Sequence, residues 1–148
     1  MSDVITADFV DLKLEADDRQ AASRSLAERL VAGGRVTDLD GFLRDIALRE
    51  SQMPTGIEGG IGIPHCRSVH VTEPSLAFGR AAAGIDFGAS DGPADLIFLI
   101  AAPEGGDASH MQILAALARR LIRSEFKDTL RAASDPEEAA AYIRREVS

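Results

Sequence analysis

Leu96-Ile97-Phe98-Leu99-Ile100 is apolar without a break, and its reading decides the fold. A strand that shows one face to water alternates apolar and polar residues, whereas an unbroken run fits a strand covered on both faces. Such a strand belongs in the middle of a sheet. On its C-terminal side, Pro103-Glu104-Gly105-Gly106-Asp107 reads as a turn able to cap a helix in which His110, Ile113, Leu114, Leu117, Ala118 and Leu121 share a stripe. Ser124 can start a further short helix. Asp135-Pro136-Glu137-Glu138 then combines an N-cap, a first-turn proline and a capping-box carboxylate.

On the N-terminal side, Val10, Leu12 and Leu14 alternate as in a strand, and Ala22, Leu26, Leu30 and Val31 recur at helical spacing up to Gly33-Gly34. Asp38 is placed to cap a second helix carrying Leu39, Phe42, Leu43, Ile46 and Ala47, which ends before Pro54 and Gly56. Three alternating pairs follow: Val69 with Val71, Leu76 with Phe78, and Ile85 with Phe87. Their connections are too short for crossover helices, so part of the sheet is expected to be antiparallel. The predicted architecture is a single α/β domain over residues 1–148, with a mixed parallel and antiparallel sheet flanked by α-helices.

Composition narrows the function. A chain of 148 residues fits one domain and can bury a full core without staples. Its single cysteine excludes an internal disulfide framework. With a net charge of −8 and no Trp, it lacks the basic, aromatic-dotted surface that binds phosphate backbones and stacked bases, so nucleic acid is not an expected partner. Neither a signal-like start nor a membrane-length apolar stretch is seen, and the reading is a cytoplasmic protein without direct membrane insertion.

Several familiar sites fail on spacing. The lysines, Lys13 and Lys127, do not follow a glycine, so there is no Walker-type phosphate loop. Gly88-Ala89-Ser90-Asp91-Gly92 matches G-x-S-x-G, but Pro93 and the central strand follow where a nucleophile elbow needs a helix; a plain Asp-Gly turn is the better reading. His65-Cys66 and His70 lack a second pair of metal ligands, and His70 reads as a solvated strand position. No metal and no cofactor is expected.

The stretch Gly56-Ile57-Glu58-Gly59-Gly60-Ile61-Gly62-Ile63-Pro64-His65 is different. Its glycines permit close backbone approach, so successive N–H groups could converge on an anion, and Pro64 restricts how the chain delivers His65. A neutral imidazole can attack phosphorus without a separate base. On the residues alone, His65 is either such a nucleophile or a structural histidine in a glycine turn. His110, at a helix start beside a loop leaving the central strand, is either a hydrogen-bond donor to a phosphoryl oxygen or a core histidine. Arg49 and Arg67 would suit phosphate oxygens, although solvated surface charge is the commoner role for either. Cys66 should point away from His65, because neighbours on extended backbone face opposite sides, and reads as a partly buried thiol.

Thr55-Gly56-Ile57-Glu58-Gly59-Gly60-Ile61-Gly62-Ile63-Pro64-His65-Cys66, preceded by Arg49-Glu50, resembles the active-histidine signature of the fructose/mannitol-type enzyme IIA domains (EIIA type 2) of the bacterial phosphoenolpyruvate-dependent sugar phosphotransferase system, most like the fructose-specific members. The segments Asp95 to Pro103 and His110 to Leu121 look like the same family. The resemblance implies that His65 is the phosphorylated nucleophile, that His110 stabilises the phosphoryl group, and that Arg49, Thr55 and Gly60 surround it. It also implies a phosphocarrier in sugar uptake, fructose first, taking its phosphoryl group from the carrier HPr. The acceptor would be a cysteine of a IIB domain, which can be fused with the membrane IIC domain. Two positions depart from the pattern: Glu58 stands where a small residue is commoner and is expected to face solvent, and Gly62 stands where alanine is usual. The alternatives are a regulatory, nitrogen-related IIA protein with the same phosphohistidine chemistry and, in a different class, a non-catalytic binding module on this fold.

Overall fold

The computed structural model describes residues 3–105 and 109–147; the side chains of 109 and 110 lie outside that description. A 3-10 turn at Ala7–Phe9 leads into strand β1 (Val10–Asp11) and helices α1 (Arg19–Ala32) and α2 (Leu39–Gln52). Strands β2 (Gly56–Ile57), β3 (Ile61–Gly62), β4 (His65–Ser68), β5 (Ser75–Ile85) and β6 (Ala94–Pro103) follow. The chain then continues through helices α3 (Ser109–Leu121), α4 (Ser124–Ala132) and α5 (Pro136–Val147).

Local signals set the helix ends. The Asp18 carboxylate accepts from Ala21 N–H at 2.8 Å and the Asp38 carboxylate from Gly41 N–H at 3.2 Å, relieving otherwise orphaned donors at the starts of α1 and α2. At α5, Asp135 accepts from Glu138 N–H at 2.8 Å, while Glu138 reaches back to the Ser134 N–H and hydroxyl. No helix among the described residues is long and apolar enough to cross a membrane.

The strand order is β1-β5-β6-β3-β2, and β4 also pairs with β6. β3 and β4 thus form one line along β6, parallel to it and interrupted only at Ile63-Pro64. β5 runs antiparallel to β6, so the sheet is mixed, as the short connections implied. The run Leu96–Ile100 is buried throughout, because β6 is flanked by strands on both edges and helices on both faces. A Cβ at Gly79, opposite Ile97, would meet Leu26 of α1, whereas the Phe98 ring stacks on Phe126 of α4 at 6.4 Å. From Ile97 onward, odd positions of β6 therefore face the α1–α2 layer and even positions the layer that contains α4, whereas Asp95 at the strand's start reaches Arg131 of α4.

Two strand expectations need correction. Val69 and Val71 do not form a strand. β4 stops at Ser68, whose hydroxyl accepts the His70 N–H and whose carbonyl accepts the Val71 N–H, and so the chain turns. His70 accordingly lies in that turn, half-buried with its ring against Gly41, rather than on a solvated strand position. Leu76–Phe78 and Ile85 belong to one strand, not two. Between Arg80↔Leu96 and Ile85↔Ala94, β5 advances five residues against two on β6, and Gly84 at φ 79° takes part in that irregularity.

Candidate functional site

Alternation along β4 sets which way each residue faces. Ser68 donates its hydroxyl to Asp45 of α2 at 2.6 Å, and Cys66 lies on the same side. Burial first, and then the nearby Asp45 carboxylate, push the Cys66 thiol up to about 12, which keeps it protonated near neutrality. His65 and Arg67 face the other way, towards the side that Ile100, the register partner of His65, shares with α4. His65 and Cys66 thus point to opposite faces of the sheet, as expected from extended backbone.

The His65 ring has one short bond. Nδ1 lies 2.7 Å from the Ile63 carbonyl oxygen, and because a carbonyl can only accept, Nδ1 must carry the proton. Nε2 then holds the lone pair. Among the described residues it has no hydrogen-bond partner and no buried side-chain nitrogen lacks one, so Nε2 is open rather than enclosed there. A neutral imidazole with a free, outward nitrogen can act as a nucleophile or a metal ligand, but no described group of three His, Cys, Asp or Glu could hold a metal ion.

The acceptor carbonyl is itself held on both sides. Ile63 N–H donates to the Thr55 carbonyl at 3.1 Å, and the Pro64 carbonyl accepts from Ile100 N–H at 3.0 Å. Thr55, buried, clasps the Glu50 carboxylate through its N–H at 2.9 Å and its hydroxyl at 2.7 Å. Arg19 donates to that carboxylate at 3.0 Å. Sequence reasoning missed both roles. Glu50 appeared only as a motif neighbour, and no spacing signal links Arg19 to it.

The glycine stretch is a β-hairpin, not an open anion cradle. β2 and β3 pair across a tip at Glu58-Gly59-Gly60, where Gly59 and Gly60 adopt φ 97° and 81°. The Gly59 N–H is already taken by the Asp91 carboxylate at 3.0 Å, supplied by the Asp-Gly turn. Gly60 receives Asp95 and Leu96 N–H on its carbonyl, and Arg131 of α4 forks onto Asp95 at 2.8 and 2.9 Å while also bonding the Gly59 carbonyl. Glu58 is exposed, as expected.

Of the five expected site residues, the structure links Thr55 to His65 through Ile63. The Arg49 guanidinium donates to the Met53 carbonyl at the end of its own helix, at 3.4 Å. Gly60 belongs to the hairpin tip. His110 is the second residue of α3, and its side chain lies outside the described residues. Arg67 is exposed on the His65 face, without a hydrogen bond or ion pair among the described residues.

A family profile described as "Phosphoenolpyruvate-dependent sugar phosphotransferase system, EIIA 2" matches residues 3–146. The PTS system fructose-specific EIIA component of Haloferax volcanii is 37% identical over 131 residues, covering 88% of this chain and 85% of that protein. The Bacillus subtilis PTS system fructose-specific EIIABC component is 34% identical over 88% of this chain, which spans 21% of that longer protein. The crystal structure of nitrogen regulatory protein IIA-Ntr from Neisseria meningitidis superposes with a TM-score of 0.86 at 25% identity, covering 95% of this chain and 96% of that one. From sequence signature to sheet topology, then, the chain belongs to the EIIA 2 family of the phosphoenolpyruvate-dependent sugar phosphotransferase system.

Proposed function

We propose that this chain is a cytoplasmic phosphocarrier in sugar uptake, with fructose as the first candidate sugar, and that His65 carries the phosphoryl group. The observation behind the reading is the ring geometry: Nδ1–H is held by the Ile63 carbonyl and Nε2 is open. The Nε2 lone pair attacks the phosphorus of phosphorylated HPr, a P–N bond forms to His65, and the P–N bond to the HPr imidazole breaks. As charge leaves the ring towards phosphorus, the positive charge on Nδ1–H is stabilised by the carbonyl it faces. In the next step a cysteine thiolate of a IIB domain attacks the same phosphorus and His65 leaves neutral. The fused Bacillus subtilis relative, an EIIABC component, supports a IIB acceptor, alone or joined to a IIC domain.

His110 is proposed to stabilise the transferring group, since it sits in the first turn of α3, where the helix end favours negative charge nearby. Arg49, Thr55 and Gly60 surround the group in this reading, Thr55 by way of Ile63. Cys66 is not a relay, because its thiol is protonated and faces α2.

Incubation with phosphoenolpyruvate, enzyme I and HPr should place an acid-labile phosphate on the chain. His65→Ala should abolish it, and His110→Ala should slow transfer by about 10²-fold or more without unfolding the protein. Full labelling of His65→Ala would refute the assignment. A fructose-type IIB domain should then remove the phosphate equally from wild type and Cys66→Ser. The likeness to IIA-Ntr supports a second, regulatory reading with the same chemistry. Loss of sugar uptake on deletion favours the carrier, and unchanged uptake favours the regulator.

A further inference from the structure

The Glu50 side chain is 10% exposed, and among the described residues its carboxylate spends its strong contacts on two groups, Thr55 and Arg19. Arg19 opens α1, where the helix dipole disfavours a cation. Its guanidinium is nonetheless placed against Glu50 at 3.0 Å, in a cleft of about 230 Å³ whose walls include Leu43, Ile46 and Ala47. Apolar surroundings strengthen such a pair and make a lone carboxylate there costly. The carboxylate in turn holds Thr55 at both N–H and hydroxyl, and the Thr55 carbonyl takes the Ile63 N–H. Ile63 offers its own carbonyl to His65.

We infer that Glu50, braced by Arg19, is the positioning residue for His65: through Thr55 and Ile63 it keeps the imidazole protonated at Nδ1 and its lone pair on the open Nε2. The inference rests on the phosphocarrier reading for its purpose, but the tautomer it sets is a property of the resting protein. Asp45 and Ser68 anchor the far end of β4 to α2, so α2 grips the histidine segment at two points, Ser68 and Thr55. Only the second leads to the ring. Without Glu50 the chain from 53 to 63 loses two hydrogen bonds at Thr55, the Ile63 carbonyl swings free, and the imidazole populates the other tautomer, which hides the nucleophilic lone pair on the Nδ1 side.

The test is the tautomer itself, read from imidazole ¹⁵N shifts of the unphosphorylated protein, with His70 as internal control. Wild type should show a protonated Nδ1 and an unprotonated Nε2 at His65. Glu50→Ala should raise the Nε2–H form by about fivefold to tenfold, the change an ordinary net hydrogen bond corresponds to. Glu50→Gln, whose amide oxygen can still accept one Thr55 bond, should fall between, as should Thr55→Val, which loses only the hydroxyl. Phosphoryl acceptance from HPr should fall in the same order. If Glu50→Ala does not fold, the isosteric Glu50→Gln and Thr55→Val carry the measurement. Wild-type His65 shifts in these folded variants would overturn the inference. Should wild type never accept a phosphoryl group while the shifts move as stated, the phosphocarrier reading fails and the positioning role stands.

Discussion

At position 62 a side chain has nowhere to go: a Cβ there would lie 2.7 Å from the Phe87 ring. The Phe87 ring thus occupies the space that a side chain at position 62 would need. Gly62→Ala should destabilise the protein by about 1–3 kcal/mol through overpacking, and adding Phe87→Leu should recover part of the loss in denaturant unfolding; an unchanged midpoint in the single variant would contradict this packing. Cys66 gives a second prediction. Its thiol is pushed up from an ordinary 9.0 to about 12, so across that window the unfolded chain binds fewer protons than the folded one and stability falls as pH rises. Relative to Cys66→Ala, wild type should therefore lose stability between those values, and native Cys66 should resist iodoacetamide until the protein unfolds. At this scale the opposed directions of His65 and Cys66 were legible, because they follow from strand alternation. Glu50 and Arg19 were not legible, since 31 residues separate them and only the packing of α1 on α2 joins them.

Elements were read best where one physical signal dominated. β6 was recognisable because full burial leaves an unbroken apolar run, α1 because Ala22, Leu26 and Leu30 recur at helical spacing, and α2 and α5 because Asp38 and Asp135 cap them. Asp18→Ala should cost about 1 kcal/mol by losing the Ala21 bond, and Phe98→Ala about 3–5 kcal/mol, because Phe98 packs between Phe78 at 5.0 Å and Phe126 at 6.4 Å. Thermal or chemical unfolding checks both, and a reversed order would contradict the layer assignment. The segment 69–87 was misread for a common reason: alternation alone does not say whether neighbours pair. Ser68 turns the chain with its own hydroxyl and carbonyl, and β5 absorbs three extra residues instead of breaking. The glycine stretch likewise satisfied a hairpin before an anion, because Asp91, distant in sequence, already fills the Gly59 donor.

Across the molecule, two anchors from opposite helical layers converge on the hairpin that precedes His65. Arg19 and Glu50 brace Thr55 from the α1–α2 side, and Arg131 with Asp95 braces Gly59 and Gly60 from α4. Asp95, first through its hydrogen bond, raises the already high pKa of Arg131, so this second anchor stays charged at any physiological pH. The histidine is thereby presented from a parallel strand line whose direction the sheet fixes and whose ring tautomer the Ile63 carbonyl sets. The central claim is that Nε2 of His65 is the reacting atom. Phosphorylating ¹⁵N-labelled protein through phosphoenolpyruvate, enzyme I and HPr, and reading the ¹⁵N–³¹P coupling of the product, tests it directly: the account predicts phosphate on Nε2 with Nδ1 still protonated, whereas phosphate on Nδ1 of His65, or on another residue, would contradict it.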